Sequence, residues 1–243
     1  MIDVIDATAL SPNEGTGRLY ELAALGELSA VLAHELRNPL SSIKGAAQIL
    51  LQEWGNQKPQ SEFLGIILDE VETLTALTTE FLDFARPLYP ELAWASWNET
   101  VERAISSVQP LAETADIDID FVATPGLPTV LVDRFQVERA IRNLLLNAID
   151  ATLRYGRVSV HTDTTPNGVA VEVTDYGRGV PPEQLARIFV PFFTTKLTGT
   201  GLGLPVVRKI AQNHGGDVEV SRNDGPGMTF TIHLPASGDG PPE

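Results

Sequence analysis

Taken at alternating spacings of four and three, Leu22, Gly26, Ser29, Ala33, Leu36, Leu40, Ile43, Ala47, Leu50 and Trp54 form one row of apolar or small residues. A heptad row of this kind predicts a helix that packs against other helices. It runs from about Arg18 to Trp54 and stops at Gly55-Asn56-Gln57-Lys58-Pro59, a turn signal. A second helix follows, with Phe63, Ile67, Leu74, Leu77, Phe81 and Phe84 on the same spacing, and Glu70 as the one polar interruption. It ends before Arg86-Pro87. Two such helices make a hairpin that cannot bury both of its faces. Two copies would close a four-helix bundle, so the pattern predicts a homodimer.

Beyond residue 86 the period changes. A linker at 87–97, rich in Pro and Trp, leads to a helix near Asn98–Ala115. Ile117, Ile119 and Phe121 then alternate with acidic residues, a strand pattern, and Thr129–Val132 reads as another strand. Asp133–Arg154 is a long helix. Arg157–Asp163 and Val169–Asp175 form a hairpin around Pro166-Asn167-Gly168. A loop-rich stretch precedes a helix at Leu204–Asn213, and strands at Asp217–Ser221 and Met228–Leu234 close the domain. The expected class is α+β: a two-helix hairpin forming a dimeric bundle, then an α/β sandwich with one helical layer on a mixed sheet. The expected division is a tail at 1–17, the hairpin domain at 18–86, the linker at 87–97, the α/β domain at 98–236 and a tail at 237–243.

Composition narrows the class. With 243 residues and 43% apolar content, one large core or two small ones can form. The net charge of −15 argues against nucleic acid or an anionic membrane as the main partner. The absence of cysteine excludes disulfides, thiol catalysis and cysteine-ligated zinc. No apolar run is long enough to span a bilayer, and the acidic start lacks the basic flank of a signal peptide, so a cytoplasmic location is expected.

The chemistry of the first helix centres on His34-Glu35-Leu36-Arg37-Asn38-Pro39-Leu40. His34 lies one residue off the apolar row and so flanks the buried stripe, facing solvent. Asn38 is one turn further on the same face. Pro39 removes a backbone donor and crowds the carbonyl of Glu35, so the helix should bend at the histidine. A lone His-Glu pair would read as ordinary bundle surface; the remainder of the chain changes that.

Four features of the second half converge on a nucleotide. Asn143 and Asn147 sit one turn apart on a helix, where carboxamides can hold Mg²⁺ and its waters. Asp175-Tyr176-Gly177-Arg178-Gly179 ends a strand; Gly177 and Gly179 allow close backbone approach, and the carboxylate can accept from an exocyclic amine such as that of adenine. Gly199-Thr200-Gly201-Leu202-Gly203-Leu204, with Pro205 at a helix start, offers backbone amides and a helix dipole to phosphate. Its spacing is not that of a dinucleotide fold. Between these loops, Phe189–Thr198 is long and irregular, with Phe192, Phe193 and Lys196. It suits a mobile lid whose lysine offsets phosphate charge. The other histidines read as structural: His161 and His233 alternate with apolar neighbours and point to solvent, and His214 caps a helix before Gly215-Gly216.

Together these residues resemble the two-component sensor histidine kinases over roughly Leu19 to Pro235. The 34–40 segment resembles the family's phosphoacceptor box, Asn143-Leu144-Leu145-Leu146-Asn147-Ala148 its asparagine box, and the Asp175–Gly179 and Gly199–Leu204 segments its two glycine boxes. Phe189-x-Pro191-Phe192-Phe193-Thr194-Thr195-Lys196 is similar to the nitrogen-regulation branch. The resemblance implies a dimerisation and phosphotransfer hairpin followed by a Bergerat-type ATP-binding domain. It implies His34 as phosphoacceptor, Glu35 as its acid/base partner, Asn147 as magnesium ligand, Asp175 as adenine contact, and ATP and Mg²⁺ as cofactors. Gyrase-type and Hsp90-type ATPases of that fold carry a water-activating glutamate where this chain has Asn143, so direct hydrolysis should be slow.

The expected function is therefore ATP-dependent phosphorylation of His34 and transfer to a response-regulator aspartate. Asn38 would orient water for dephosphorylation of the regulator, as the resemblance to bifunctional members of the family implies; its alternative role is a simple cap for the backbone carbonyl freed by Pro39. The alternative is a catalytically silent phosphotransfer or scaffold protein of the same fold. About 20 residues before the hairpin cannot form an input domain. Either a separate sensor protein supplies the signal or this is the core of a longer chain.

Overall fold

The computed structural model describes residues 36, 39–50, 65–71, 73–75, 77–78, 89–196 and 199–236. The chain divides into two compact units, Met1–Ala85 and Arg86–Glu243. Among the described residues, no helix is long and apolar enough to cross a membrane.

In the first unit, 39–50 and most of 65–78 are helical. Pro39, Ala46 and Leu77 are buried, whereas Leu40, Ile49, Ile66, Leu68 and Val71 are exposed. The hydroxyls of Thr73, Thr75 and Thr78 donate to carbonyls one turn earlier, a neutral use of β-branched polar residues on a helix surface. The bend expected at His34, the turn at Gly55–Pro59 and both tails lie outside the described residues.

The second unit contains β1 (Ala93–Ser96), α1 (Trp97–Thr114), β2 (Asp118–Val122), β3 (Thr129–Val132), α2 (Arg134–Ala151), β4 (Arg157–Thr165), β5 (Gly168–Asp175), a 3₁₀ turn (Pro182–Arg187), α3 (Gly203–Asn213), β6 (Asp217–Arg222) and β7 (Met228–Pro235). The main sheet has the order β2-β4-β5-β7-β6, with β2 parallel to β4 and every other pair antiparallel. β1 and β3 form a separate antiparallel ribbon. This mixed sheet with helices, together with the helical pieces of the first unit, agrees with the expected α+β class. Two elements were not expected. Residues 93–96, read as linker, become β1, whose four residues extend by pairing with β3. The loop before residue 188 contains the 3₁₀ turn, opened by Pro182 with its fixed φ.

Cross-strand register shows how the sheet is sided. Val160 faces Val173, which faces Phe230; Thr162 faces Val171, which faces Ile232, which faces Val218. All seven are buried. The opposite parity carries Ser159, His161, Glu172, Thr174, Thr229, Thr231, His233 and Glu219, a polar face. One side alone is apolar, as an antiparallel sheet with a single helical layer requires. Val101, Ala104 and Val108 of α1, Ile141, Leu144 and Leu145 of α2, and Val206, Val207 and Ile210 of α3 bury against it. His161 and His233 sit on the polar face, and His233 Nε2 lies 3.6 Å from Glu219 Oε2.

Both long helices start with a side-chain cap: Ser96 accepts from Glu99 N and Asp133 from Gln136 N. Asp133 also accepts from Glu91 N at 3.0 Å, and its own N–H donates to His214 Nε2 at 3.0 Å. His214 Nδ1 lies 2.8 Å from the Ile210 carbonyl. The ring is buried, so it does more than cap α3: it ties the helix to the start of α2. Trp97, 1% exposed, donates its indole N–H to the Ala170 carbonyl at 2.9 Å and so fastens α1 to β5. Trp97→Phe removes that donor and leaves a small void. Stability should fall by about 1–3 kcal/mol, measured by urea unfolding with an unchanged m-value. Wild-type stability would show the bond to be dispensable.

Candidate nucleotide site

The parity that fills the core also delivers Asp175. It follows Val169, Val171 and Val173 on the buried face and is the last residue of β5, so its carboxylate emerges at the rim of the apolar layer. It is 4% exposed. Oδ1 accepts from Gly177 N at 2.9 Å. Burial pushes its pKa above the usual carboxylate value, opposed by hydrogen bonds from the Gly177 and Met228 amides and by the Lys196 charge. Asn223 braces the turn from behind, donating to the Asp175 and Pro226 carbonyls and accepting from Thr229. Gly177 passes so close to α2 that a Cβ would lie 2.0 Å from the Ala151 carbonyl. No other residue fits there.

α2 supplies the polar wall. Asn147 Oδ1 accepts from Lys196 Nζ at 2.9 Å. Asn143 points its amide at the Gly203 carbonyl, 3.4 Å away, and thus holds the start of α3. No side chain caps α3, whose first turn opens directly from the glycine loop. Leu202, 1% exposed, anchors that loop, and its N–H donates to Thr200 Oγ1 at 3.3 Å.

The segment after the 3₁₀ turn interlocks with the loop. Phe192 adopts a left-handed φ of 63° and donates its N–H to the Gly201 carbonyl at 3.1 Å. Gly201, itself at φ 69°, lies under it: a Cβ there would meet the Phe192 carbonyl carbon at 2.6 Å. A non-glycine residue in this region is strained by about 1–2 kcal/mol. Flanking aromatics steady it, with Arg208 over Phe189 at 3.7 Å and Arg187 over Phe193 at 4.5 Å.

These elements enclose a cavity of about 180 Å³. Of the expected residues, Asn147, Asp175, Gly179, Lys196, Gly199, Thr200, Gly201, Gly203 and Leu204 line it. Asn143, Gly177 and Leu202 stand directly behind the lining, in the positions just described. His34, Glu35 and Asn38 lie outside the described residues, as do Leu197 and Thr198. The cavity floor is apolar, with Ile188, Met228 and Phe230, beneath a single carboxylate. That suits a flat heteroaromatic ring with an edge donor. The other end, with amides, Lys196 and Asn147, suits anionic oxygens.

Known proteins agree with this geometry. Residues 132–238 match the histidine kinase-, DNA gyrase B- and HSP90-like ATPase family, and residues 24–89 match the His Kinase A (phospho-acceptor) domain. The solved catalytic domain of histidine kinase ThkA is 32% identical, with 60% of this chain covering 96% of that one at a TM-score of 0.56. This chain belongs to the two-component histidine kinases. A ThkA structure in complex with response regulator TrrA superposes with a TM-score of 0.79 at 28% identity, covering 93% of this chain and 66% of that one. Sensor histidine kinase ZraS of Escherichia coli (strain K12) is 37% identical over 220 residues, 90% of this chain and 47% of ZraS. AtoS of the same organism is 36% identical over 90% of this chain and 36% of its own length. The chain spans about half the length of the curated ZraS relatives it matches.

In this histidine kinase, several lining residues carry no local motif: Ala151, Met228 and Phe230. Asp150 was also not expected, although its place three residues after Asn147 puts both on one helix face. Asp175 has a consequence for stability. A raised pKa means the folded state binds the proton more tightly than the unfolded state. That contribution is present at low pH and lost as pH rises through the raised value. Asp175→Asn removes the buried charge, so it should melt above the wild type at neutral pH. The gap should close as pH falls below the ordinary carboxylate range. Melting curves across about pH 3–8 measure this. A variant less stable at neutral pH would show that the amide bonds to the carboxylate outweigh its desolvation.

Proposed function

We propose that the chain is the catalytic core of an ATP-dependent protein-histidine kinase of the nitrogen-regulation-like branch, acting in the cytoplasm as a homodimer. It phosphorylates His34 and passes the phosphoryl group to a response-regulator aspartate. The observation that carries this is the convergence of Asp175, Asn147, Lys196 and the glycine loop on one cavity with an apolar floor. The two family matches and the ThkA–TrrA complex support the phosphoacceptor half and the regulator partner. Exposed Leu40, Ile66, Leu68 and Val71 in the hairpin unit support burial against a second copy. The proposed division is a hairpin domain at 18–86 and an ATP-binding domain that includes β1 and Trp97 ahead of the 98–236 expected from sequence.

In this mechanism the adenine ring lies on Met228, Phe230 and Ile188, with its amine donating to Asp175. The phosphates run toward the amides of 199–204 and the ammonium of Lys196. The site fits a magnesium ion: the Asn147 amide oxygen already faces a cation, and no group of three His, Asp or Glu among the described residues could hold a metal alone. Magnesium typically takes one or two protein oxygens and completes its shell with phosphate and water. Asn147 would hold it, and the ion would neutralise phosphate charge. Asn143 acts indirectly by fixing Gly203. Glu35 holds one ring nitrogen of His34 and leaves the other nucleophilic. That nitrogen forms a bond to the γ-phosphorus as the bond to the β–γ bridging oxygen breaks, leaving ADP. Positioning and charge neutralisation supply most of the rate. Asn38 orients water onto the regulator's phospho-aspartate.

Incubation with γ-labelled ATP should give acid-labile label, as phosphohistidine requires. His34→Ala should abolish the label while nucleotide affinity stays within about twofold of wild type, whereas Asn147→Ala should lose both. Acid-stable label, or label on His34→Ala, would overturn the assignment. Asn38→Ala should keep the label yet lose dephosphorylation of a labelled receiver domain; equal loss of both would give Asn38 a structural role.

A further inference from the structure

Asp150 is the penultimate residue of α2, about one turn beyond Asn147. Its Oδ2 lies 2.8 Å from Lys196 Nζ and 4.0 Å from Arg178 Nη2. The same Nζ donates to Asn147 Oδ1 at 2.9 Å. The ammonium of Lys196 is thus seated between two oxygens of one helix, and Asp150 is shared by cations from two other segments: the turn after β5 and the stretch after Phe193. The Lys196 side chain is 28% exposed, against 55% for Asp150, so the lysine is the more enclosed partner.

The groups held in this contact are also the ones a nucleotide would use. The Asn147 oxygen is the site's hard donor for a divalent cation, and Lys196 is its cation for phosphate. A metal-bound polyphosphate and the Asn147–Lys196–Asp150 contact therefore compete for the same oxygen and the same ammonium. We infer that Asp150 is a positioning residue: with Asn147 it latches the Lys196 ammonium, and a metal-bound polyphosphate opens the latch by giving Asn147 a new cation and Lys196 a new anion. The latch itself stands on the three distances; only the identity of the incoming polyphosphate rests on the kinase reading above. Asp150 thereby sets how much magnesium nucleotide is needed to open the site.

Hydrogen–deuterium exchange on the full chain, without nucleotide or magnesium, tests the latch directly. Asp150→Asn is nearly isosteric at a half-exposed position, and far-UV circular dichroism verifies its fold. Exchange of the amides at 193–196 should be about two- to fivefold faster than in wild type, as for loss of one partly exposed ion pair. Lys196→Met should do the same, the double variant no more than the faster single, and Asp150→Glu should restore part of the protection. Wild-type exchange in Asp150→Asn, or additive effects in the double variant, would overturn the proposal. Separately, the magnesium concentration that half-saturates binding of a fluorescent ADP should fall by a similar factor in Asp150→Asn; an unchanged value would also count against the latch. If fluorescent ADP fails to bind the wild type with magnesium, the kinase reading fails and exchange alone decides the latch.

Discussion

The two-residue period of β4, β5 and β7 is the constraint from which the second unit follows. Because successive side chains point to opposite faces, a run such as Val169–Val171–Val173 commits one side of the sheet to the core. Three helices must then cover that side. The same parity carries Asp175 inward with them, so a charged group arrives at the rim of an apolar layer with no freedom to turn out to solvent. Its elevated pKa is the electrostatic record of that placement. A register shift of one residue would expose the valines and withdraw the carboxylate together. Core formation and recognition chemistry are thus set by one geometric choice.

α2 shows a related economy. Its apolar stripe of Ile141, Leu144, Leu145 and Ala148 packs on the sheet, while Asn143, Asn147 and Asp150 follow at helical spacing beside it. The helix is both a core element and the polar wall of the cavity. The turn after β5 reaches that wall only because Gly177 leaves space for the Ala151 carbonyl, and the glycine loop folds against Phe192 only because Gly201 has no side chain. Close approach of three backbones replaces what longer side chains would otherwise have to span.

Much of this was legible from residue order, for identifiable reasons. Strands and helices beyond residue 97 announce themselves by period, and the site residues within glycine-rich turns announce themselves because few side chains can occupy such backbone. Less legible were features created by long-range closure. β1 is a strand only because β3 lies beside it. Asn223 braces the Asp175 turn from 48 residues away. Asp150 meets Lys196 and Arg178 through folding, not through a shared motif. Asn143 looked equivalent to Asn147, yet one turn of helix is enough to aim it at the Gly203 carbonyl instead of the cavity. His214 read as a cap because its helix end was visible and its burial was not.

That histidine has a mechanical consequence. Its two neighbours dictate one tautomer, since the Asp133 amide must donate to Nε2 and the Ile210 carbonyl must receive from Nδ1. α3 is therefore pinned at its C-terminal end and cannot slide along its axis. An eleven-residue rod fixed at one end transmits force but not displacement. Whatever shape the glycine loop at its other end must take up, the compliance has to come from the loop itself and from the strained peptide at Phe192 that rests on it.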